Sequence, residues 1–283
     1  MMSFAKHVQQ YNRLTVNFQK VIDTYYAYRG SLNFPKNGPF AVMDIGCASG
    51  RALTEVLHPF LPENYTELVG IDIDHSMIEY CRTLKVDPRI SFEQMDIATE
   101  KLPEKFKNHF SLLFSSFCLM YVKDFRKALQ NSHELLKMNG ELLFSFLYKR
   151  NPVYEVYKEL YRNDIWKPYT KEFKDFVPYY SSEDRETVLK NDFAEVCFEL
   201  VRHEFHSDHH IRNSRRNLLD LFIAMNAISR SIPEEKKQHF LKDFESVLCD
   251  KGFLGPTNIE GIDGEVEINY PIVVIHAKKS EIV

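Results

Sequence analysis

Between residues 40 and 147, short apolar runs alternate with stretches of helical spacing, and this rhythm restricts the fold more than any other feature. Residues 41–45, 68–72, 90–95, 110–115 and 140–147 read as strands, since apolar runs of that kind suit a sheet covered on both faces. Leu53, Val56, Leu57 and Phe60 mark a helix after the first strand. Met77, Ile78 and Cys81 mark another behind the N-cap candidate Asp74. Phe125, Ala128, Leu129, Ser132, Leu135 and Leu136 form the seam of a third, opened by Asp124 and expected to end at Asn139-Gly140, a pair tolerant of left-handed backbone. Strands alternating with helices imply right-handed βαβ units, a mostly parallel sheet and an α/β fold.

The flanks are different. Phe4, Val8, Tyr11, Leu14, Phe18, Ile22, Tyr25 and Tyr28 recur every three or four residues, the spacing of an amphipathic helix within 1–35, which Pro35, Gly38 and Pro39 stop. Beyond the core at 40–149, the text from 151 to 192 is irregular and aromatic: Tyr154, Tyr157, Tyr161, Trp166, Tyr169, Phe173, Phe176, Tyr179 and Tyr180. A strand is expected at 195–205, helices at 218–230 and 233–248, and a last strand at 269–278. The helical insertions 150–192 and 206–262 are placed to cover one end of the sheet. All of 1–283 reads as a single domain. Aromatic residues make up 13% of the chain, with 22 Phe and 15 Tyr, a surplus that needs a thick core or an apolar pocket. A net charge of −4 lacks the footprint of a nucleic-acid binder. Five widely spaced cysteines with no CxxC pair, no leader-like start and no run of about 18 apolar residues set the expectation of a cytoplasmic protein with reduced thiols and no integral membrane segment.

The strongest local signal is Asp44-Ile45-Gly46-Cys47-Ala48-Ser49-Gly50, where the first strand hands over to its helix. A sharp turn there needs glycine, and close approach of a ligand needs backbone without Cβ. It is not a nucleophile elbow, because Gly46 to Gly50 reads GxxSG and misplaces Ser49. Asp72 closes the second strand about 20 residues on, where an acid can accept ribose hydroxyls. Ile73 follows it, Asp96-Ile97 follow the third strand, and Ser115-Ser116-Phe117 end the fourth at a topological switch point. Singly, each acid reads as a turn cap and each Ile as core. In this order and spacing, the set points to a nucleotide-type ligand.

The glycine turn, Gly70-Ile71-Asp72, Met95-Asp96-Ile97 and Phe114-Ser115-Ser116-Phe117 resemble the motifs of class I S-adenosylmethionine-dependent methyltransferases. Within that superfamily the chain is similar to the insect and arthropod juvenile hormone acid methyltransferases. That likeness runs through Asn17-Phe18-Gln19-Lys20, Phe117-Cys118-Leu119-Met120-Tyr121-Val122, 150–157 and 271–278. The resemblance implies a Rossmann-like three-layer sandwich with a seven-stranded sheet, one strand antiparallel. It implies S-adenosyl-L-methionine as cofactor, bound by Asp44, Gly46, Ala48, Gly50, Asp72, Ile73, Asp96, Ile97 and Ser115. It also implies esterification of a small lipophilic carboxylic acid such as farnesoic acid or its epoxide. Gln19 matches the family's carboxylate-holding Gln; Tyr121 stands where the family has a Trp, and a phenol reaches differently from an indole N–H. Ala48 stands where the family commonly has Gly, harmless if its φ is negative and otherwise loosening the cofactor's methionine end.

An ionised carboxylate needs no general base, which matches the absence of a catalytic dyad. Phe117, Trp166 and the aromatic insertion are the expected apolar wall, with Trp166 open between wall and lid anchor. His203, His206, His209 and His210 lack metal-site spacing and read as a solvated turn, and Arg212, Arg215 and Arg216 as a solvated helix start. Two alternatives stand beside the ester-forming reading: a non-catalytic paralogue that binds cofactor or lipid acid, and a methyltransferase for a different small molecule.

Overall fold

Apolar runs that alternate with helices are covered on both faces, and they pair as parallel neighbours. The computed structural model describes residues 8, 11–12, 18–36, 38–148, 151–171, 184–207, 210–225, 231–254, 264–269 and 271–280. In it β1 (Phe40–Ile45), β2 (Tyr65–Asp72), β3 (Ile90–Gln94), β4 (Phe110–Ser116) and β5 (Leu136–Leu147) run parallel. β6 (Phe198–His206) and β9 (Ile272–Lys279) complete a seven-stranded sheet of order β3-β2-β1-β4-β5-β9-β6. β9 is antiparallel to both its neighbours, as the resemblance implied. All six residues of β1 are buried, which is why it reads as an unbroken apolar run.

The first helix, α1 (Phe18–Tyr28), lies over the ends of β1 and β4, with Tyr25 packed 5.8 Å from Phe60 and 5.1 Å from Phe114. α2 follows the glycine turn as a π-turn, Leu53–Leu57, running into an α-turn, His58–Phe60. α3 (His75–Arg82) is capped by Asp74, which accepts from Ser76 N at 2.8 Å, and α4 (Phe125–Leu135) by Asp124, which accepts from Lys127 N at 2.9 Å. α4 stops at Leu135, four residues before the expected Asn139-Gly140 stop. Those residues lie inside β5, where the pairing passes from Phe110↔Leu136 to Leu112↔Glu141, so β5 advances five residues against two in β4. Asn139 takes φ +63 in this bulge, and a Cβ on Gly140 would lie 2.9 Å from Leu136 Cδ2.

The insertions are helical in α5 (Pro152–Leu160), α6 (Lys167–Thr170), α7 (Arg185–Glu195), α8 (Arg215–Ala224) and α9 (Glu234–Asp250). The region 206–262 is not wholly helical, because β7 (His210–Ser214) pairs antiparallel with β8 (Glu265–Asn269) in a separate two-stranded sheet. That pairing also moves the start of the last strand from 269 to Ile272. No helix among the described residues is long and apolar enough to cross a membrane.

Candidate active site

The C-terminal ends of β1, β2 and β4 and the turn after β3 open into two adjoining cavities. The larger, about 480 Å³, is lined by Gly46, Asp72, Ile73, Asp96, Ile97 and Tyr121, with Tyr154 and Tyr157 from α5 as part of its wall. The smaller, about 100 Å³, is lined by Asp44, Ala48, Arg51, Ser116 and Phe117, and by Phe18, Val21 and Tyr25 from α1. Gly46 and Met225 line both, so the two chambers meet between the first turn and the end of α8.

The turn is held by the acid that follows it in space. Asp72 accepts from Ala48 N through Oδ2 and from Asp74 N through Oδ1, each at 2.9 Å. Ala48 takes φ +47, between Gly46 at +77 and Gly50 at +75. A left-handed alanine costs about 1 kcal/mol, so the unstrained case considered for its methyl does not hold. A Cβ on Gly46 would lie 2.2 Å from Cys118 Sγ, which fixes glycine there. Asp96 accepts from Ala98 N at 2.9 Å, leaving its carboxylate exposed at the cavity rim, and Ile73 is 65% exposed beside it.

Asp44 is the unusual charge. It is 4% exposed, and no group among the described residues donates a hydrogen bond to it. Burial, and then the neighbouring Asp72 charge, raise its pKa to about 7. A buried carboxyl without a donor, facing a cavity, suits a cationic ligand.

Residues 43–142 match the methyltransferase domain family. Over 285 residues the chain is 30% identical to the juvenile hormone acid O-methyltransferase of Drosophila melanogaster, covering 99% of this chain and 93% of that protein. The chain belongs to the juvenile hormone acid O-methyltransferase family. Its Bombyx mori relative is 28% identical over 240 residues, 84% of each chain. A solved structure from Bacillus halodurans, whose methyltransferase activity is itself an assignment, is 15% identical and superposes with a TM-score of 0.54 over 87% of this chain and 94% of its own. The protein is an S-adenosylmethionine-dependent methyltransferase with the Rossmann-like fold of its neighbours. The buried Asp44 carboxyl, which receives no hydrogen bond from the described residues, the glycine turn and the rim acids fit that cationic nucleotide-like cofactor.

Ten of the singled-out residues converge. Asp72, Ile73, Asp96, Ile97 and Tyr121 line the larger cavity, Asp44, Ala48 and Phe117 the smaller, and Gly46 both, while Gly50 lies at the base of the turn. A Cβ on Gly50 would lie 3.1 Å from both Cys81 Sγ and the Phe92 ring. Ser115 is a buried strut, its hydroxyl donating to Ile45 O at 2.9 Å. Gln19 stands outside both cavities, exposed, with its amide donating to Asp23 at 2.9 Å. Trp166 is corrected from wall to anchor: it is fully buried, donates its indole N–H to Asp243 at 2.7 Å and packs on His239 and Phe240 of α9. Of the aromatic stretch, Tyr154 and Tyr157 are wall, while Phe173, Phe176, Tyr179 and Tyr180 lie outside the described residues.

The histidine cluster is strand rather than turn in its described part. His206 faces Glu204 at 3.4 Å and His210 faces Glu267 at 3.4 Å. No group of three or more metal-ligating side chains occurs among the described residues. Arg212 belongs to β7, and Arg215 joins α8 to α9 through Glu245 at 3.2 Å. Sequence reasoning did not single out Tyr25, Arg51 or Met225 as site residues. Tyr25 was visible only as one more apolar position of the first helix.

Proposed function

We propose that this methyltransferase esterifies the carboxylate of a small lipophilic acid of the farnesoic or juvenile hormone acid class. The observation that carries this reading is the wall of the larger cavity. Val122, Val153, Tyr154, Tyr157 and Met225 line it in addition to Asp72 and Asp96, with Tyr121 among them. A tail without polar groups is matched by such a wall, and the names of the Drosophila and Bombyx relatives support the same acid class.

When bound, S-adenosylmethionine supplies an electrophilic methyl group on a positively charged sulfur. In this reading Asp72 takes the ribose hydroxyls, Asp96 the adenine amino group, and Ile73 and Ile97 pack on the ring. Asp44 would take the ammonium, with Ala48 lining its chamber and Gly46 and Met225 the passage between the two. Gly50 and Ser115 shape the floor beneath. Tyr121 orients the acid: its hydroxyl donates to Met225 Sδ at 3.2 Å, and an anionic oxygen is a much stronger acceptor than a thioether. Gln19 has no part, because its amide is turned to Asp23. The acid is ionised well above its pKa near 4, so no proton must be removed. What the chain contributes is alignment and a dry wall: positioning lowers the barrier by several kcal/mol, and excluding water favours a step in which opposite charges cancel.

The test is a panel of sesquiterpenoid, fatty and aromatic acids incubated with methyl-labelled S-adenosylmethionine. Label is expected in methyl esters of the sesquiterpenoid acids. Cofactor binding with no ester from any acid would reject the reading.

A further inference from the structure

Three hydroxyls cross the sheet toward the smaller chamber. Ser145 Oγ on β5 donates to Ser116 Oγ on β4 at 3.3 Å, and Ser116 Oγ donates to the Tyr25 hydroxyl on α1 at 3.1 Å. With Ser116 as donor, the phenol's own hydrogen is left for a further acceptor, and none of the described residues accepts it. Tyr25 is 1% exposed and lines the chamber, the only one of the three α1 side chains there that carries a polar group. A hydroxyl that accepts a hydrogen bond becomes a better donor, so the row strengthens the group at its end. Burial first, and then the Asp44 charge, raise the Tyr25 pKa well above its ordinary value, which keeps it a neutral phenol and a donor.

A buried donor at the end of such a row suits an anionic acceptor. Asp44, in the same chamber, repels an anion above about pH 7, where it is ionised in the cofactor-free protein, and the Arg51 guanidinium that also lines the chamber is paired with Glu55 at 3.2 Å. A cationic cofactor group on Asp44 removes that repulsion. The chambers meet at Gly46 and Met225, so a carboxylate at the junction has Tyr25 on one side and Tyr121 on the other.

We propose that Tyr25, rather than Gln19, is the first helix's positioning donor for the acceptor carboxylate, and that the acid binds only after the cofactor. This rests on the carboxyl-methylation reading above. The nearly isosteric Tyr25→Phe is expected to raise KM for farnesoic acid roughly tenfold or more, the worth of one hydrogen bond to a charged group. Its affinity for S-adenosylhomocysteine, read by calorimetry, is expected to stay within about twofold of wild type. Ser116→Ala is expected to raise the same KM by a smaller factor. At pH 8, where Asp44 is ionised, farnesoic acid should bind the full chain measurably in the presence of S-adenosylhomocysteine and not in its absence.

A wild-type protein that esterifies the acid, with Tyr25→Phe unchanged in KM, overturns the assignment alone. Loss of S-adenosylhomocysteine affinity in Tyr25→Phe with KM unchanged also overturns it, since the carboxylate held is then the cofactor's own. Acid binding of equal strength without S-adenosylhomocysteine overturns the binding order. A wild-type protein that binds S-adenosylhomocysteine but neither binds nor esterifies any acid overturns the functional reading and this assignment together.

Discussion

A carboxyl that is 4% exposed and receives no hydrogen bond from the described residues is costly to ionise, and Asp44 takes up a proton near pH 7 as a result. Asp72, Tyr25, Cys47 and Cys118 face it and none supplies a positive charge, while Arg51, which lines the same chamber, is paired with Glu55 at 3.2 Å. Its folded pKa lies above the ordinary 3.8, so the cofactor-free fold holds the extra proton between about pH 4 and 7. Stability from this group is therefore full below that window and falls as pH rises through it. A cationic cofactor needs the ionised form, so its affinity moves the other way. Calorimetry of S-adenosylhomocysteine binding is expected to show affinity about tenfold weaker at pH 6 than at pH 8. In Asp44→Asn that dependence is expected to flatten and the affinity to be low throughout. The acids and glycines of this site were legible in the sequence because each sits at a strand end in a fixed order. The orientation of Gln19 was not. Residues one or two apart on a helix point to different sides, and only the packing of Tyr25 between Phe60 and Phe114 fixes which side meets the chamber.

Strands β1, β2, β4 and the second half of β5 could be read directly, because a strand covered on both faces is largely apolar, and β3 from the alternation of Ile90 and Phe92 with polar residues. β7 and β8 could not. Their sequences, His-Ile-Arg-Asn-Ser and Glu-Val-Glu-Ile-Asn, bury only Ile211, Val266 and Ile268, and they become strands by pairing with each other across some fifty residues of chain. The early end of α4 was hidden for a similar reason: the apolar seam runs on through Leu136, which belongs to β5. Trp166 shows how a pocket aromatic and a packing aromatic look alike until partners are known. Its indole N–H is committed to Asp243, so Trp166→Phe is expected to lower unfolding stability by about 1–3 kcal/mol in denaturant titration. Cofactor affinity and acid KM in the same variant are expected to stay within about twofold, which a wall residue would not allow.

The sheet order places the site. Connections from β1 lead to β2 on one side, while β4 lies on the other, and the crevice between such diverging connections is where open α/β sheets bind ligands. Both cavities lie there, under α1, α5 and the end of α8. Such a scaffold hosts many reactions, so the acceptor must be argued from the wall and its donors rather than from the topology. The central claim is that the methyl group arrives on a carboxylate oxygen. Mass spectrometry of products made with trideuteromethyl-labelled S-adenosylmethionine tests it most directly, with farnesoic acid and its alcohol, farnesol, offered in equal amounts. The account predicts the trideuteromethyl ester of farnesoic acid and no farnesyl ether. Label appearing on farnesol, or S-adenosylhomocysteine forming with no ester of the acid, would contradict it.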